Sequence, residues 1–216
     1  YYSQGSFANI DQVSGSKMTE TILVGRSACQ GCVIACGRVV KLPKETAKRK
    51  GPEHETMVGF GANLLNDNLE AIVELGELCD SYGMDTISTS NTIGLAFRLF
   101  ENGIITEKDT NGITLNWGDV NVIEQLVRMI GVREGIGDLL ALGSKRFGSH
   151  FNAEEEAVQV NGLEVAYHDP RGVSGMALSY ATSPRGACHN QSDYFFVEWG
   201  HSQEQIGIEF MSPHAQ

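Results

Sequence analysis

The residues most able to do chemistry are three cysteines in the run Cys29-Gln30-Gly31-Cys32-Val33-Ile34-Ala35-Cys36. Thiolates at this C-x2-C-x3-C spacing wrap one small inorganic cluster, because each intervening loop is too short to reach elsewhere. Gly31 lets the backbone come close to the sulfides. Zinc is the alternative, but a structural zinc takes four ligands, usually as two pairs, and the chain has no second C-x2-C pair. A cubane also needs a fourth ligand, and Cys79 and Cys188 are the remaining cysteines of the sequence. The fourth thiolate is therefore one of these or lies outside the chain.

Further groups follow. Gly51-Pro52-Glu53-His54-Glu55-Thr56 places two carboxylates and an imidazole ahead of the apolar segment Met57 to Ala62. A carboxylate pressed against apolar surroundings has a raised pKa and exchanges protons near neutrality. On its own the same run also reads as a charged surface turn. Asp80-Ser81-Tyr82-Gly83-Met84-Asp85 sets two acceptors around a glycine turn, either to meet the N–H groups of a polar heterocycle or simply to end a helix. Tyr167-His168-Asp169-Pro170-Arg171-Gly172 and Arg185-Gly186-Ala187-Cys188-His189 are rich in small residues, as a bulky ligand close to the backbone requires. His189 is the acid–base candidate there.

The elements that must position these groups are mainly helical. Leu69, Ile72, Val73, Gly76 and Cys79 recur at helical spacing behind Asp67, and Gly83 is the natural stop. A second, well-buried helix is predicted from Ser90 or Asn91 to Phe100, with Gly103 ending it. Asn111-Gly112 ahead of alternating Ile113, Leu115 and Trp117 predicts a small hairpin. A third helix runs from Asp119 or Asn121 to Ile130, stopped by Gly131, and a fourth from Ile136 to Phe147. Short strands are expected over 157–160 and 163–167, and Ile22-Leu23-Val24 is an apolar lead into the cysteines. The domain division expected is a connecting segment over 1–20, a helical cluster-bearing and ligand-binding domain over 21–150, and the start of a second helical domain over 151–216.

The chain has 216 residues, 41% hydrophobic, with a net charge of −11. That charge argues against a nucleic-acid partner, which requires clustered Lys and Arg. The one basic run, Lys41 to Lys50, is expected to be a solvated loop. No apolar stretch reaches the eighteen or so residues of a membrane span, and no secretory leader opens the sequence. Five cysteines, an odd number with three crowded together, point to metal chemistry in a reducing, cytoplasmic compartment rather than to disulfides.

Taken together and in order, these segments resemble the aldehyde:ferredoxin oxidoreductase family over nearly the whole chain, to about Asn190. The cysteine run matches the family's cluster motif. Asp80 to Asp85 matches its D-x-x-G-L-[DC] motif with Met84 in place of Leu, and Asp169-Pro170-Arg171-Gly172 and Arg185 to His189 also fit. The resemblance implies a mainly α fold, an irregular multi-helix arrangement with minor short β-hairpins like domains 2 and 3 of that family. It implies a 4Fe-4S cluster on Cys29, Cys32 and Cys36, and a tungsten or molybdenum ion held by two pterins, with Asp80, Gly83, Asp85 and Arg185 on the cofactor. Glu55 and His189 would be catalytic near the metal. His54 stands where the best-known members carry Tyr, in the substrate pocket. The implied reaction is oxidation of a small aldehyde, with electrons leaving through the cluster to ferredoxin or another carrier; a homo-oligomer remains open. The alternatives are a benzoyl-CoA reductase-like subunit with an aromatic substrate, and a small metal-binding protein without catalysis. The family's β-rich first domain and its second pterin motif, which supplies the fourth cluster cysteine, are expected to lie outside this sequence.

Overall fold

Two helices joined by a tight corner organise the protein. α3 (Leu69–Tyr82) starts where the Asn68 side chain accepts the N–H of Ala71, one residue later than the Asp67 start expected, and ends at Gly83 with φ +69°. Only a residue without Cβ takes that left-handed turn cheaply. Two residues later Asp85 caps α4 (Thr86–Glu101), its carboxylate accepting the Ser88 N–H at 2.7 Å. The expected start at Ser90 or Asn91 is therefore too late by a turn. Thr86 to Thr92 are weak helix formers. Inside the helix, however, the hydroxyls of Ser90 and Thr92 bond back to the carbonyls of Thr86 and Ser88.

The computed structural model describes residues 1–192, 194–198, 200 and 207. It is mainly helical, as expected. The polar opening segment folds into a 3-10 turn (Ile10–Val13) and α1 (Gly15–Thr21), which bury Val13 and Met18 in the main core. A three-stranded antiparallel sheet follows: β1 (Leu23–Ser27), β2 (Gly37–Val40) and β3 (Arg49–Lys50). α2 (His54–Phe60) then packs against α3 and α4. The basic run is not a free loop. Leu42 is buried, Arg49 pairs with Glu45 and Glu77, and Lys50 pairs with Asp80 at 2.8 Å, so the run is clasped onto α3.

α5 (Val120–Val132) starts at Asp119, whose side chain accepts from Asn121 and Val122, and runs past Gly131 to a left-handed Arg133. Gly131 is a packing position rather than a stop: a Cβ there would lie 2.6 Å from the Tyr82 ring. The expected fourth helix is broken into α6 (Ile136–Leu140) and α7 (Ser144–His150) by Gly143 at φ +85°. The hairpin expected at Asn111-Gly112 does not form. Both residues adopt positive φ, but the preceding segment is itself a turn, closed by Thr110 N–H on Thr106 C=O, and offers no strand to pair. Leu115 is buried instead, and Trp117 packs edge-on against Phe97 at 5.2 Å.

The second hairpin is real but short. β4 (Gln159–Val160) and β5 (Leu163–Glu164) flank Asn161-Gly162, whose φ values of +55° and +85° suit a two-residue turn. The strand expected over 163–167 ends early because α4 claims the rest: Asn91 Nδ2 donates to the Val165 carbonyl at 3.1 Å, and Ser90 Oγ meets the Tyr167 hydroxyl at 2.8 Å. α8 (Gly175–Thr182) and α9 (Tyr194–Glu198) are the last helices among the described residues, with Met176 and Tyr180 of α8 in a smaller core beside Val165 and Ala166.

Candidate functional site

Glu55 lies in the first turn of α2 and is 8% exposed. It is buried because α2 lies flat on α4. Gly59, one turn on, permits this contact: a Cβ there would fall 2.3 Å from Ser90 Oγ and 2.8 Å from the Tyr167 ring. The Thr56 and Thr86 hydroxyls, 2.9 Å apart, tie the two helix starts together. Glu55 Oε2 accepts the backbone N–H of Tyr167 at 2.6 Å, a bond across 112 residues of sequence. Oε1 is buried and accepts no aligned hydrogen bond, yet it lies 3.2 Å from Nε2 of His168. Desolvation pushes the Glu55 pKa from 4.5 to about 7, offset by the Tyr167 N–H and reinforced by Asp85. This carboxyl is poised to hold or release a proton at neutrality.

Three imidazoles gather beside it. His168 stacks on His54 with centroids 5.0 Å apart and planes 16° from parallel, and meets His189 at 5.7 Å. His54 is exposed and His168 half-buried. Burial and the neighbouring His54 and His189 lower the pKa of His168 to about 4. Burial first, then Arg38 and His189, lowers that of His54; burial and Arg185 lower that of His189 against the pull of Asp85. Neutral rings are the stable state at pH 7.

The structure gathers Glu55, His54 and His189 around His168, although Glu55 and His189 sit far apart in sequence. What the sequence reading passed over is His168, which touches all three. Its place within Tyr167-His168-Asp169, directly after a turn hairpin, was the available signal. His54, Glu55 and His168 also offer ligand atoms within 4.8 Å of one another. A metal ion must lie in the plane of each imidazole it binds, and two nearly parallel stacked planes do not meet at a nearby point. The trio as placed is poorly disposed to coordinate one ion.

The corner residues take different places. Asp80 is bound to Lys50 and lines a small depression with Glu53, Thr56 and Thr86. Asp85 is engaged as the α4 cap and lines a separate depression with Met84, Arg133 and Gly143, while its charge reaches Glu55 and His189. Gly83 forms the turn between them. The two aspartates flank the same turn but do not open onto one cavity. Arg185 donates to the Cys188 sulfur at 3.6 Å and adjoins His189.

Cys29, Cys32 and Cys36 are all exposed, on the loop between β1 and β2. The strands close beneath it where Ser27 pairs with Gly37; a Cβ on Gly37 would clash with Ser27 Oγ at 2.4 Å. Gly31 and Ala35 at positive φ turn the loop outward, leaving Val33 94% and Ile34 68% exposed. Three soft thiols on one open loop suit three ligands of an iron–sulfur cluster. Cys79 lies in the main core, and burial pushes its thiol up to about 12, so it is unsuited to be the fourth. Cys188 is buried beside Arg185.

A family model described as aldehyde ferredoxin oxidoreductase, domains 2 and 3, matches residues 1–214. The chain is 38% identical to the tungsten-containing aldehyde ferredoxin oxidoreductase of Thermococcus kodakarensis over 215 residues, 99% of this chain and 34% of that protein. It is 33% identical over 173 residues to the aliphatic sulfonate oxidoreductase, WOR-like subunit, of Pyrococcus furiosus, covering 75% of this chain and 28% of that protein. Among solved structures, the active site complex BamBC of benzoyl coenzyme A reductase matches with a TM-score of 0.60 at 23% identity. That match covers 70% of this chain and 23% of the other, a likeness of fold. The chain belongs to the aldehyde ferredoxin oxidoreductase family. It spans about a third of the length of the tungsten-containing relatives it matches. Among the described residues no helix is long and apolar enough to cross a membrane.

Proposed function

We propose that this chain supplies the acid–base half of the active site of a tungsten- or molybdenum-pterin enzyme that oxidises a small aldehyde to its carboxylic acid. The supporting observation is Glu55: a buried carboxyl with one oxygen held by a backbone N–H, the other unsatisfied, and a pKa near 7. Oxidation of an aldehyde with water yields the acid, two protons and two electrons. A bound bis-pterin metal would supply the two-electron acceptor, and Cys29, Cys32 and Cys36 would hold three corners of a 4Fe-4S cluster suited to passing electrons singly to ferredoxin or another carrier. Glu55, largely ionised just above neutrality, takes a proton at its buried oxygen. His189, neutral at pH 7, donates an N–H to the aldehyde oxygen and orients it, and His54 shapes the outer wall of the substrate pocket. Asp80 and Asp85, in separate depressions on either side of Gly83, would each meet a different part of a bound pterin, with Arg185 beside His189.

Glu55→Gln in the full-length enzyme keeps the shape and removes the base. Turnover of acetaldehyde with benzyl viologen should fall about 10²–10⁴-fold, the usual contribution of a positioned acid–base group, with tungsten, iron and pterin content unchanged. Cys29→Ser should lower iron content. Full activity in loaded Glu55→Gln enzyme would return Glu55 to a structural role. The benzoyl-CoA reductase-like reading, with electrons driven into an aromatic ring, rests on likeness of fold alone and would show as viologen-dependent reduction without aldehyde turnover.

A further inference from the structure

A buried base that accepts a proton must also lose it. Glu55 Oε2 is occupied by the Tyr167 N–H, and Oε1 faces the interior. The group nearest Oε1 is His168 Nε2 at 3.2 Å, within reach of a short proton transfer once the substrate or a water adjusts the pair. His168 is half-buried, and its far face stacks on the exposed His54. The half-buried His168 ring thus links the buried carboxyl to solvent, with His54 stacked on its face rather than in line with its ring nitrogens.

We propose that His168 is the proton relay of this site, carrying each proton from Glu55 Oε1 outward to solvent. The inference rests on the reading of Glu55 as the base. In the step, the Oε1–H bond breaks and an Nε2–H bond forms, while the proton on Nδ1 leaves to water. The ring ends neutral in its other tautomer, proton exchange with solvent restores the starting tautomer before the next transfer, the carboxylate is regenerated, and no electrons move. Neutrality before and after suits a ring whose pKa is lowered to about 4, because no imidazolium accumulates beside His54 and His189. The backbone carbonyl of His168 is fixed by the Tyr180 hydroxyl at 3.0 Å, which holds the ring between its neighbours. The charged and titratable groups facing the relay include Arg38 through His54, Asp85 through Glu55 and His189, Arg185 through His189, and the hydroxyls of Tyr2, Tyr167 and Tyr180 through Glu55.

The test uses the full-length holoenzyme with His168→Gln, His168→Phe and Glu55→Gln, measuring metal and pterin content, kcat and KM for acetaldehyde, and the solvent deuterium isotope effect. The expected result is a kcat loss of about 10²-fold in both His168 variants, the lower end for a positioned proton-transfer group. KM should change little, the isotope effect should rise, and free imidazole should restore part of the rate in His168→Phe. Wild-type kcat and isotope effect in both His168 variants, with Glu55→Gln impaired, would overturn the relay and leave Glu55 as the base. An active Glu55→Gln would overturn both. If the His168 variants lose cofactor, infrared titration of the Glu55 carboxyl decides instead: an altered midpoint in His168→Gln supports the coupling, and an unaltered one ends it.

Discussion

Glu55→Gln should change how stability depends on pH, and the size follows from the site. In the folded protein Glu55 titrates near 7 against an ordinary 4.5. Its side chain is 11% exposed, so solvent screens little of this. A raised carboxyl pKa means the folded state prefers the protonated form. The associated stability is full below 4.5 and is lost as pH rises through 7. At about 1.4 kcal/mol per pH unit, the loss is about 3 kcal/mol. Gln does not titrate and keeps the hydrogen-bonding shape. The unfolding free energy of the variant minus that of wild type should therefore rise by about 3 kcal/mol between pH 4.5 and pH 8.5. Urea denaturation at those two pH values, followed by tryptophan fluorescence and circular dichroism, measures it. Taking the difference cancels the other titrating groups, with Asp85 the main residual because its charge acts on Glu55 directly. A difference that stays flat across this range would mean the carboxyl is solvated in solution. The argument from burial would then fail.

Three other outcomes are expected. His168 titrates near 4 against an ordinary 6.5, a lowered value, so its stability is present above 6.5 and lost as pH falls through 4. His168→Gln should make the protein less acid-labile in that window by up to about 3 kcal/mol, read from acid-unfolding midpoints; an unchanged midpoint counts against the half-buried ring. Gly59→Ala, with its Cβ 2.3 Å from Ser90 Oγ, should cost about 1–3 kcal/mol by overpacking, and a loss within about 0.5 kcal/mol would mean α2 can lift off α4 freely. Asp85→Ala should cost about 1 kcal/mol through the lost α4 cap while Asp85→Asn keeps most of it, and equal losses would assign the aspartate a role through its charge instead.

How much was legible depended on whether the signal was local. Helices with strong periodicity and a good terminal residue, α3 with Gly83 and α5 with Asp119, stood out because both signals sit within a few residues. Gly131 was read as a stop and the fourth helix was run straight through Gly143, for one reason. A glycine looks the same whether it breaks a helix, as Gly143 does, or makes room for a ring from elsewhere, as Gly131 does for Tyr82. The start of α4 was missed because its hydroxyl residues satisfy themselves inside the helix. Glu55 and His189 were joined through resemblance. Nothing in their spacing could join them, since the contact depends on α4 drawing the 165–168 segment down with Ser90 and Asn91. His168 went unnoticed because its partners are supplied by that same long-range packing.

The bond from Tyr167 N–H to Glu55 has one more use. Tyr167 lies in neither a helix nor a strand, so its amide has no ladder or helical turn to protect it. Its exchange with deuterium in solvent should then follow the docking of one peptide segment onto one carboxylate, largely independent of how firmly the helices hold. A single amide, resolved by mass spectrometry of a short peptide, becomes an internal gauge of whether the two distant halves of the site are closed. The same gauge should register occupancy of the pocket, because a molecule that engages Glu55 competes for the oxygens that hold this amide.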